Sequence, residues 1–500
     1  MLGRHVAEIK RDGPRSYRVP KSIIGFVATV ARVFMREYDK RVYQRALFIF
    51  RRDLRLHDNT GLVEAARMSD TITPCFIFDP RQTSQHPYFS SKAFGFMVAS
   101  LKDLARQLNE LGAALLTLEG RAEQVVNQLT RRSDVDAVFL NKDYTPFSRQ
   151  RDAAIAADCQ NRGIAFHCCS DVLLHEPQEI VKETGAPYTT FSHFLEKART
   201  VPVRRAETTA PSNFSLWNEV DAEVPFLKRM TFKSSEPPQA DAGRAKALAI
   251  LAQVEQFKDY ESAREYPAQA ATTGLSAHNK FGTCSIREVY YAIADRFGSE
   301  HRLITELYWR DFYYYIAYLF PRVFGHAFHR KYDTIPWTND AELFSAWCNG
   351  RTGFPIVDAG MRQLNETGFM HNRVRMLVAS FLVKDLHVDW RWGERYFAQK
   401  LVDYDPAVNN GNWQWCASTG TDAQPFFRIF NPWLQQKKYD PNCRYIKTWV
   451  PELRATPPEQ IHALPTSTLP PPSGYPPMIV DHIKESNWTK ELLRRVAKLG

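Results

Sequence analysis

The sequence predicts a doubly wound α/β domain followed by an all-α domain, and three observations carry that prediction. From residue 46 short apolar runs alternate with stretches of helical spacing, the pattern of βαβ units and a parallel sheet. After Gly243 the strand signals vanish, and one helical pattern follows another to about residue 430. Between these halves, residues 200–242 (VPVRRAETTAPSN, KSSEPPQADAG) have no sustained period and are rich in Pro, Ser, Thr and charge, which reads as a connection.

Residues 1–45 form a basic extension with eleven Lys/Arg and four acids, which accounts for seven of the ten net positive charges. The body is therefore nearly neutral, and any nucleic-acid groove on it must be a local patch. Within the extension, Ile23–Ala31 is too short to span a bilayer and its long charged prelude is unlike a signal peptide; an extra helix, a disordered arm and an organelle presequence are the readings it leaves. The α/β domain is expected over 46–175, with strands ALFIF (46–50), TPCFIF (73–78), ALLTL (114–118), AVFL (137–140) and IAFHC (164–168). Helices are expected over 91–111, 121–132 and 148–162, where apolar residues recur at helical spacing among good helix formers. No G-x-G-x-x-G or G-x-x-x-x-G-K-[ST] follows any strand, so this half has no phosphate loop. An interdomain connection spans 176–242, and a helical domain spans 243–490, with SIREVYYAIADRF, ITELYWRDFYYYIAYLF and NRVRMLVASFLVKDL among its segments and a Pro-rich tail piece with a last basic helix after 450.

Composition narrows the class. With 44% hydrophobic and 24% charged residues in 500, disorder, collagen and coiled coil are excluded, and no apolar run approaches the ~18 residues of a membrane span, so a soluble protein with no membrane partner is expected. The 13% aromatic content, with nine of eleven tryptophans between 309 and 449, suits either a Phe-rich core or surfaces on which flat groups stack. Eight cysteines show no C-x-x-C pair and no matching His spacing; they read as reduced thiols of an intracellular protein, with no zinc, no disulfides and no other metal.

Three segments of the helical half resist a packing explanation. DYDPAVNNGNWQWCASTGTDAQPFFRIFNP (403–432) crowds acids, amides and tryptophans between apolar helices, and buried amides and carboxylates need partners, which a flat heteroaromatic cofactor with imide and amide edges supplies. ATTGLS (271–276) reads as an N-cap or as a cradle of backbone N–H and hydroxyl donors for a pyrophosphate. In GFMHNRVRM (368–376), Asn372 stands over Arg375 and Met376 at i+3 and i+4, on what is either a plain helix face or a site.

Taken together, RRDLRLHDN (51–59), TELYWRDFYYYI (305–316), GFPIVDAGMRQLNETGFMHNRVRM (353–376), DWRWGERYFAQKLVDYDPAVNNGNWQWCASTGTDAQPFFRIFNP (389–432) and YPPMIVDHIKE (475–485) strongly resemble the photolyase/cryptochrome family. The resemblance covers about 46–490 and is closest to class I cyclobutane pyrimidine dimer photolyases. It implies a carbon-carbon lyase that repairs pyrimidine dimers in damaged DNA with light and a reduced FAD, and a monomer that works inside the cell. By resemblance, Tyr260 and the stretch Thr272, Thr273, Gly274, Leu275 and Ser276 hold the FAD phosphates, and Arg310 is a further flavin-side contact. Asp403 bonds the flavin imide edge and pairs with Arg375, Tyr404 and Asp405 belong to the same binding segment, and Asn409 faces the reactive central-ring nitrogen.

The resemblance further assigns Glu306 to the dimer imide and Trp309 to stacking on the lesion, with Trp415, Asn372 and Met376 lining the other side and Arg373 and Gln435 reaching the DNA backbone. Asn372 separates the cyclobutane class from (6-4) photolyases, which place a second His there. Trp337, Trp390 and Trp413 match the three tryptophans that relay an electron from the surface to the flavin; without the resemblance they read as core residues. NKDYTPFSRQRD (141–152) aligns with the segment lining an antenna chromophore, yet Thr145 replaces the acidic residue of folate-binding members and PRVFGHAFHRK offers no lysine clasp. Folate, a deazaflavin, a second flavin or an empty pocket therefore all remain open. The rival readings are a cryptochrome photoreceptor, a (6-4) photolyase and a non-catalytic DNA-binding module.

Overall fold

The computed structural model describes residues 41–84, 86–132, 134–215, 228–229, 241–269 and 271–498. Most of the basic extension, including Ile23–Ala31, lies outside the described residues, as does much of the connection before Gly243.

Five parallel strands are joined by helices in the order the alternation predicts. They are β1 (Tyr43–Phe50), β2 (Ser69–Phe78), β3 (Leu116–Glu119), β4 (Ala137–Asn141) and β5 (Ala165–Cys169), with α1 (Thr60–Met68), α2 (Ser91–Glu110), α3 (Ala122–Arg132) and α4 (Pro146–Asn161) between them. β1 begins inside the segment read as a basic extension, because the backbone N–H groups of Gln44 and Arg45 are held by the Asp136 carboxylate at 2.8 and 3.0 Å. A sixth strand, β6 (Lys228–Arg229), runs antiparallel to β3. The connection thus contributes to the sheet, which two residues are too short to announce by any period.

The spatial order is β5-β4-β1-β2-β3-β6, so the chain reverses direction between β1 and β4. Ligands of open α/β sheets bind in the crevice at such a point, outside the strand C-termini. Both faces of the sheet are covered: Phe48 and Phe50 pack under α1 and α2, while Leu47 and Ile49 pack under α3 and α4, which is why β1 reads as a continuous apolar run. Pro74 sits in the middle of β2 without breaking the ladder, since β3 pairing starts only at Cys75 with Leu116.

The helical domain is built round two apolar clusters. The labelled helices are α5 (Phe191–Arg199), α6 (Ile286–Phe297), α7 (Arg302–Leu319), α8 (Pro355–Thr367), α9 (Asn372–Lys384), α10 (Trp390–Lys400), α11 (Pro406–Ala417), α12 (Pro432–Tyr439) and α13 (His482–Lys498). One cluster joins α8, α9, α10 and α11, and the other joins α5, α6 and α7.

Buried ion pairs tie the two domains together. Arg55, from the loop after β1, and Arg287, on α6, converge on Asp171 at 2.7 and 2.8 Å, and Arg287 also meets Asp58 at 2.8 Å. Burial alone would raise the Asp171 carboxyl, but the two guanidinium groups override it and hold the group well below the usual carboxylate range. Gly282 lies beside this junction at φ +62°, and a Cβ there would stand 2.4 Å from the Arg52 carbonyl oxygen, so only glycine allows the approach. The RRDLRLHDN motif is accordingly an interdomain joint. All eight cysteines are free. Among the described residues no helix is long and apolar enough to cross a membrane, and no cluster of potential ligands could hold a metal ion.

Candidate active site

A cavity of about 290 Å³ opens among α7, α9, α10 and α11. Tyr260, Thr273, Leu275 and Ser276 line one side of it, and Arg375, Asp403, Tyr404, Asp405, Asn409 and Trp413 line another. Glu306, Arg310, Asn372 and Met376 complete the wall. Segments more than 150 positions apart in the chain therefore meet round one cavity. Thr272, Gly274, Trp309, Trp415, Arg373 and Gln435 stand outside this lining.

Each polar group is positioned by a local device. Arg375 meets Asp403 through two bonds of 3.2 and 2.9 Å, and its Nε donates to the Met370 carbonyl at 2.7 Å, so the pair is fixed in orientation as well as charge. Asp405 caps α11, accepting from the N–H groups of Ala407 and Val408 at 3.0 and 3.2 Å. Its second oxygen is taken by Arg52 and the Tyr314 hydroxyl, with Lys280 at 3.8 Å. Burial opposes the Asp405 charge, yet Arg52 and Lys280 hold the carboxyl far below its ordinary range. Arg310 donates to the Val172 carbonyl at 2.9 Å and pairs with Asp311 at 2.8 Å.

The Asn409 amide donates to the carbonyl and side-chain oxygens of Glu394 at 3.0 and 3.3 Å. Burial pushes the Glu394 carboxyl up to about 7, with Asn409, Arg395 and Tyr88 as its polar neighbours. Glu394 was not marked by the sequence reading; a lone acid on an amphipathic helix carries no sign of burial. Asn279 was also missed: its side-chain oxygen is buried in the cavity wall with no hydrogen-bond partner. That orphan acceptor, the hydroxyls of Thr273 and Ser276 and the Asp403–Arg375 pair fit a ligand with phosphates, amide edges and a flat ring.

At the mouth, Asn372 Nδ2 lies 3.8 Å from Met376 Sδ, one helical turn away. Trp309 has one face covered, stacked on Phe191 with ring centroids 3.5 Å apart. Trp415 is half-buried against the α8–α11 cluster. Arg373 is paired with Glu265 and lies 4.7 Å over the Tyr439 ring; Gln435 stands one turn before Tyr439 on α12. Arg373 is thus neutralised within the protein.

The three tryptophans share one packed cluster. Trp413 and Trp390 are 2% and 1% exposed, whereas Trp337 is half-buried and also touches the cluster of Ile335, Leu493 and Val496 under α13. Trp413 reaches the backbone of α10 at Gly393, where a Cβ would stand 2.2 Å from the indole, and Trp390 heads the same helix one turn earlier.

A second cavity of about 520 Å³ lies at the switch point of the sheet, lined by Arg51, Arg52, Arg81, Arg151, Lys280 and Thr145 with Phe50, Phe89, Phe94 and Phe147. Arg51 Nη2 and Arg52 Nε are buried there without hydrogen-bond partners, whereas Arg151 Nη2 lies 3.0 Å from the Asp152 carboxylate. Thr145 caps α4, accepting from the Ser148 N–H at 3.2 Å.

Residues 46–212 match the family model described as DNA photolyase, and residues 303–495 match the FAD binding domain of DNA photolyase. A curated deoxyribodipyrimidine photo-lyase from Synechococcus sp. is 38% identical over 455 residues, 87% of this chain and 93% of that protein. The chain belongs to the DNA photolyase family. Among solved photolyase-family structures, the archaeal photolyase from Sulfolobus tokodaii with two FAD molecules, reported to imply a novel light-harvesting cofactor, superposes with a TM-score of 0.80 at 45% identity, over 90% of this chain and all of that one. The Synechocystis sp. PCC6803 cryptochrome superposes equally well, TM-score 0.80 over 90% of this chain and 99% of that chain, at 29% identity. The photolyase fold and the FAD-binding character of the helical domain are therefore those the motifs implied.

Proposed function

We propose that the chain is a light-driven lyase for cyclobutane pyrimidine dimers in DNA, with FAD seated in the 290 Å³ cavity and the flipped-out lesion at its mouth. The observation that carries this reading is the meeting, in one cavity, of the Asp403–Arg375 pair and Asn409 with Glu306, Asn372 and Met376. When bound and reduced, the flavin supplies on photoexcitation the electron that opens the cyclobutane ring. All other work falls to the chain. Thr273, Ser276 and Tyr260 hold phosphates, Asp403 accepts from the imide edge, and Asn409, oriented by Glu394, presents its amide to the central ring.

Glu306 accepts from the pyrimidine imide, Trp309 and Trp415 flank the lesion, and extrusion is cheap because the dimer already weakens stacking and pairing. Trp337, Trp390 and Trp413 form a route from surface to cavity for the electron that restores the reduced state. The chain acts as a monomer. In the switch-point cavity, the unpartnered guanidinium donors suit an anionic tail and Thr145 lacks the acid that folate-binding relatives use, so a second flavin nucleotide serves there as antenna. A cryptochrome receptor shares the fold, but a signalling role does not need Glu306, Asn372 and Met376 together at the mouth.

The deciding experiment is light-dependent restoration of dimer-containing oligonucleotides by the purified, pre-reduced protein; absence of repair overturns the reading. Trp413→Phe separates the two light reactions. It should abolish photoreduction of oxidised FAD, followed by flavin absorbance under blue light with an external reductant, and leave repair by pre-reduced enzyme intact.

A further inference from the structure

Five charged side chains of alternating sign cross the mouth of the flavin cavity. Arg302 and Glu306, a turn apart on α7, meet at 3.0 Å. Arg264 pairs with the same Glu306 oxygen, Arg264 Nε lies 3.6 Å from Glu265, and Glu265 pairs with Arg373 at the start of α9. Arg264 and Glu265 are consecutive residues on the turn that closes the short helix Tyr260–Ala263. Backbone bonds from Arg264 N–H to the Tyr260 carbonyl (2.9 Å) and from Tyr266 N–H to the Ala263 carbonyl (3.2 Å) hold that turn. Arg264 and Glu265 therefore move as one piece. The Arg373 and Glu265 side chains are 15% and 26% exposed, shielded enough for the pairing to exceed that of an open surface pair.

We infer that Glu265 is a resident counter-ion, holding Arg373 in the place of a DNA phosphate while its neighbour Arg264 holds Glu306 in the place of a pyrimidine imide, so that productive binding exchanges both pairs together. The inference rests on reading this mouth as the dimer site, and it makes Glu265 a specificity-determining residue. An arginine already neutralised draws a phosphate weakly, and freeing it leaves a carboxylate facing a polyanion. Undamaged DNA keeps its bases stacked; it brings a phosphate to Arg373 and nothing to Glu306, so it meets the full penalty. A flipped-out dimer brings both partners at once and offsets it. Discrimination thus comes from a penalty against the wrong ligand as well as from contacts to the right one.

The test is binding in the dark, by fluorescence anisotropy, of FAD-loaded protein to matched duplexes with and without one dimer. Glu265→Gln should tighten binding to the undamaged duplex about five- to tenfold and to the dimer duplex only about two- to threefold, lowering the discrimination ratio. Loss of any acid raises DNA affinity somewhat, so Glu261→Gln, exposed on the same short helix, measures that background. In an Arg373→Ala protein, Glu265→Gln should give no more than the background, because the coupling runs through that pair. A gain on undamaged DNA that equals the Glu261→Gln gain, or one that persists in full without Arg373, overturns the inference. Repair of the dimer duplex by the reduced parent protein is scored separately, so failure of the lyase reading and failure of the counter-ion reading appear in different measurements.

Discussion

The two cavities share a wall at Lys280 and Tyr404, yet their polar groups are managed in opposite ways. In the flavin cavity the charges are matched within the protein: Asp403 has Arg375, and Asp405 has Arg52 and the first turn of α11. In the switch-point cavity cations outnumber acids, and two guanidinium donors, Arg51 Nη2 and Arg52 Nε, have no partner. The first arrangement sets geometry in advance, so that a ligand meets groups already aimed and little ordering remains to be done. The second stores unused donors and so draws any anion that fits. Orientation is guarded in the first cavity, and affinity for an anion in the second.

Breaking the matched side should have the largest effect. Arg375→Ala leaves the Asp403 carboxylate buried without its cation, and should lower stability by about 3 kcal/mol and strip FAD from the lower cavity while the switch-point chromophore stays. Thermal midpoint and flavin released per chain measure both; retention of two flavins would show that the pair does not organise the lower site.

Glu394 stands behind the flavin cavity, holding the Asn409 amide with no ion pair of its own among the described residues, and it sharpens the comparison through pH. Its carboxyl is raised from 4.5 to about 7, so the folded state holds a proton that the unfolded chain releases. The destabilisation from ionising it in place therefore grows as pH rises from about 4.5 to 7 and is complete above that. Glu394→Gln, which keeps the acceptor for Asn409, should match the parent near pH 4.5 and exceed it above pH 7 by on the order of 2–3 kcal/mol in urea unfolding. A difference that does not change with pH would mean that the carboxyl is ionised throughout.

The smallest effect belongs to the unmatched side. Arg151→Leu removes a guanidinium group that lines this cavity, and its partner Asp152 keeps Arg51 at 2.6 Å, so the fold should stand. Affinity for the switch-point chromophore should fall roughly tenfold, with the lower FAD unchanged. Chromatography of the chromophores released by heat, parent against variant, reads both sites at once.

What the sequence made legible follows the range over which each signal acts. Strand alternation and helix spacing are local, and they placed β1 to β5 and the helical half. Asp403 with Arg375, and the cavity lining from Tyr260 to Trp413, were legible only because long motifs carried them as a set. Glu394, Asn279, Arg264 and Glu265 were not, because each acquires its role from a neighbour that tertiary packing supplies: Glu394 from burial beside Asn409, Arg264 and Glu265 from residues on α7 and α9. Arg52 and Asp405, 353 positions apart, form a contact that no window along the chain can see.

That last contact bears on how such a molecule can be divided. Asp405 begins the helix that bears Asn409, Trp413 and Trp415, and one of its two oxygens is moored to an arginine at the end of the first strand of the other domain. The helical half is consequently not a module that can be excised or grafted on its own. Cut away from residues 41–175, it would expose Asp405 at the head of its active-site helix and leave Arg287 without Asp58 and Asp171. Any chimera that exchanges the α/β half must import an arginine at position 52 and carboxylates at 58 and 171, or inherit a binding site whose first turn has lost its anchor and an Arg287 that has lost its partners.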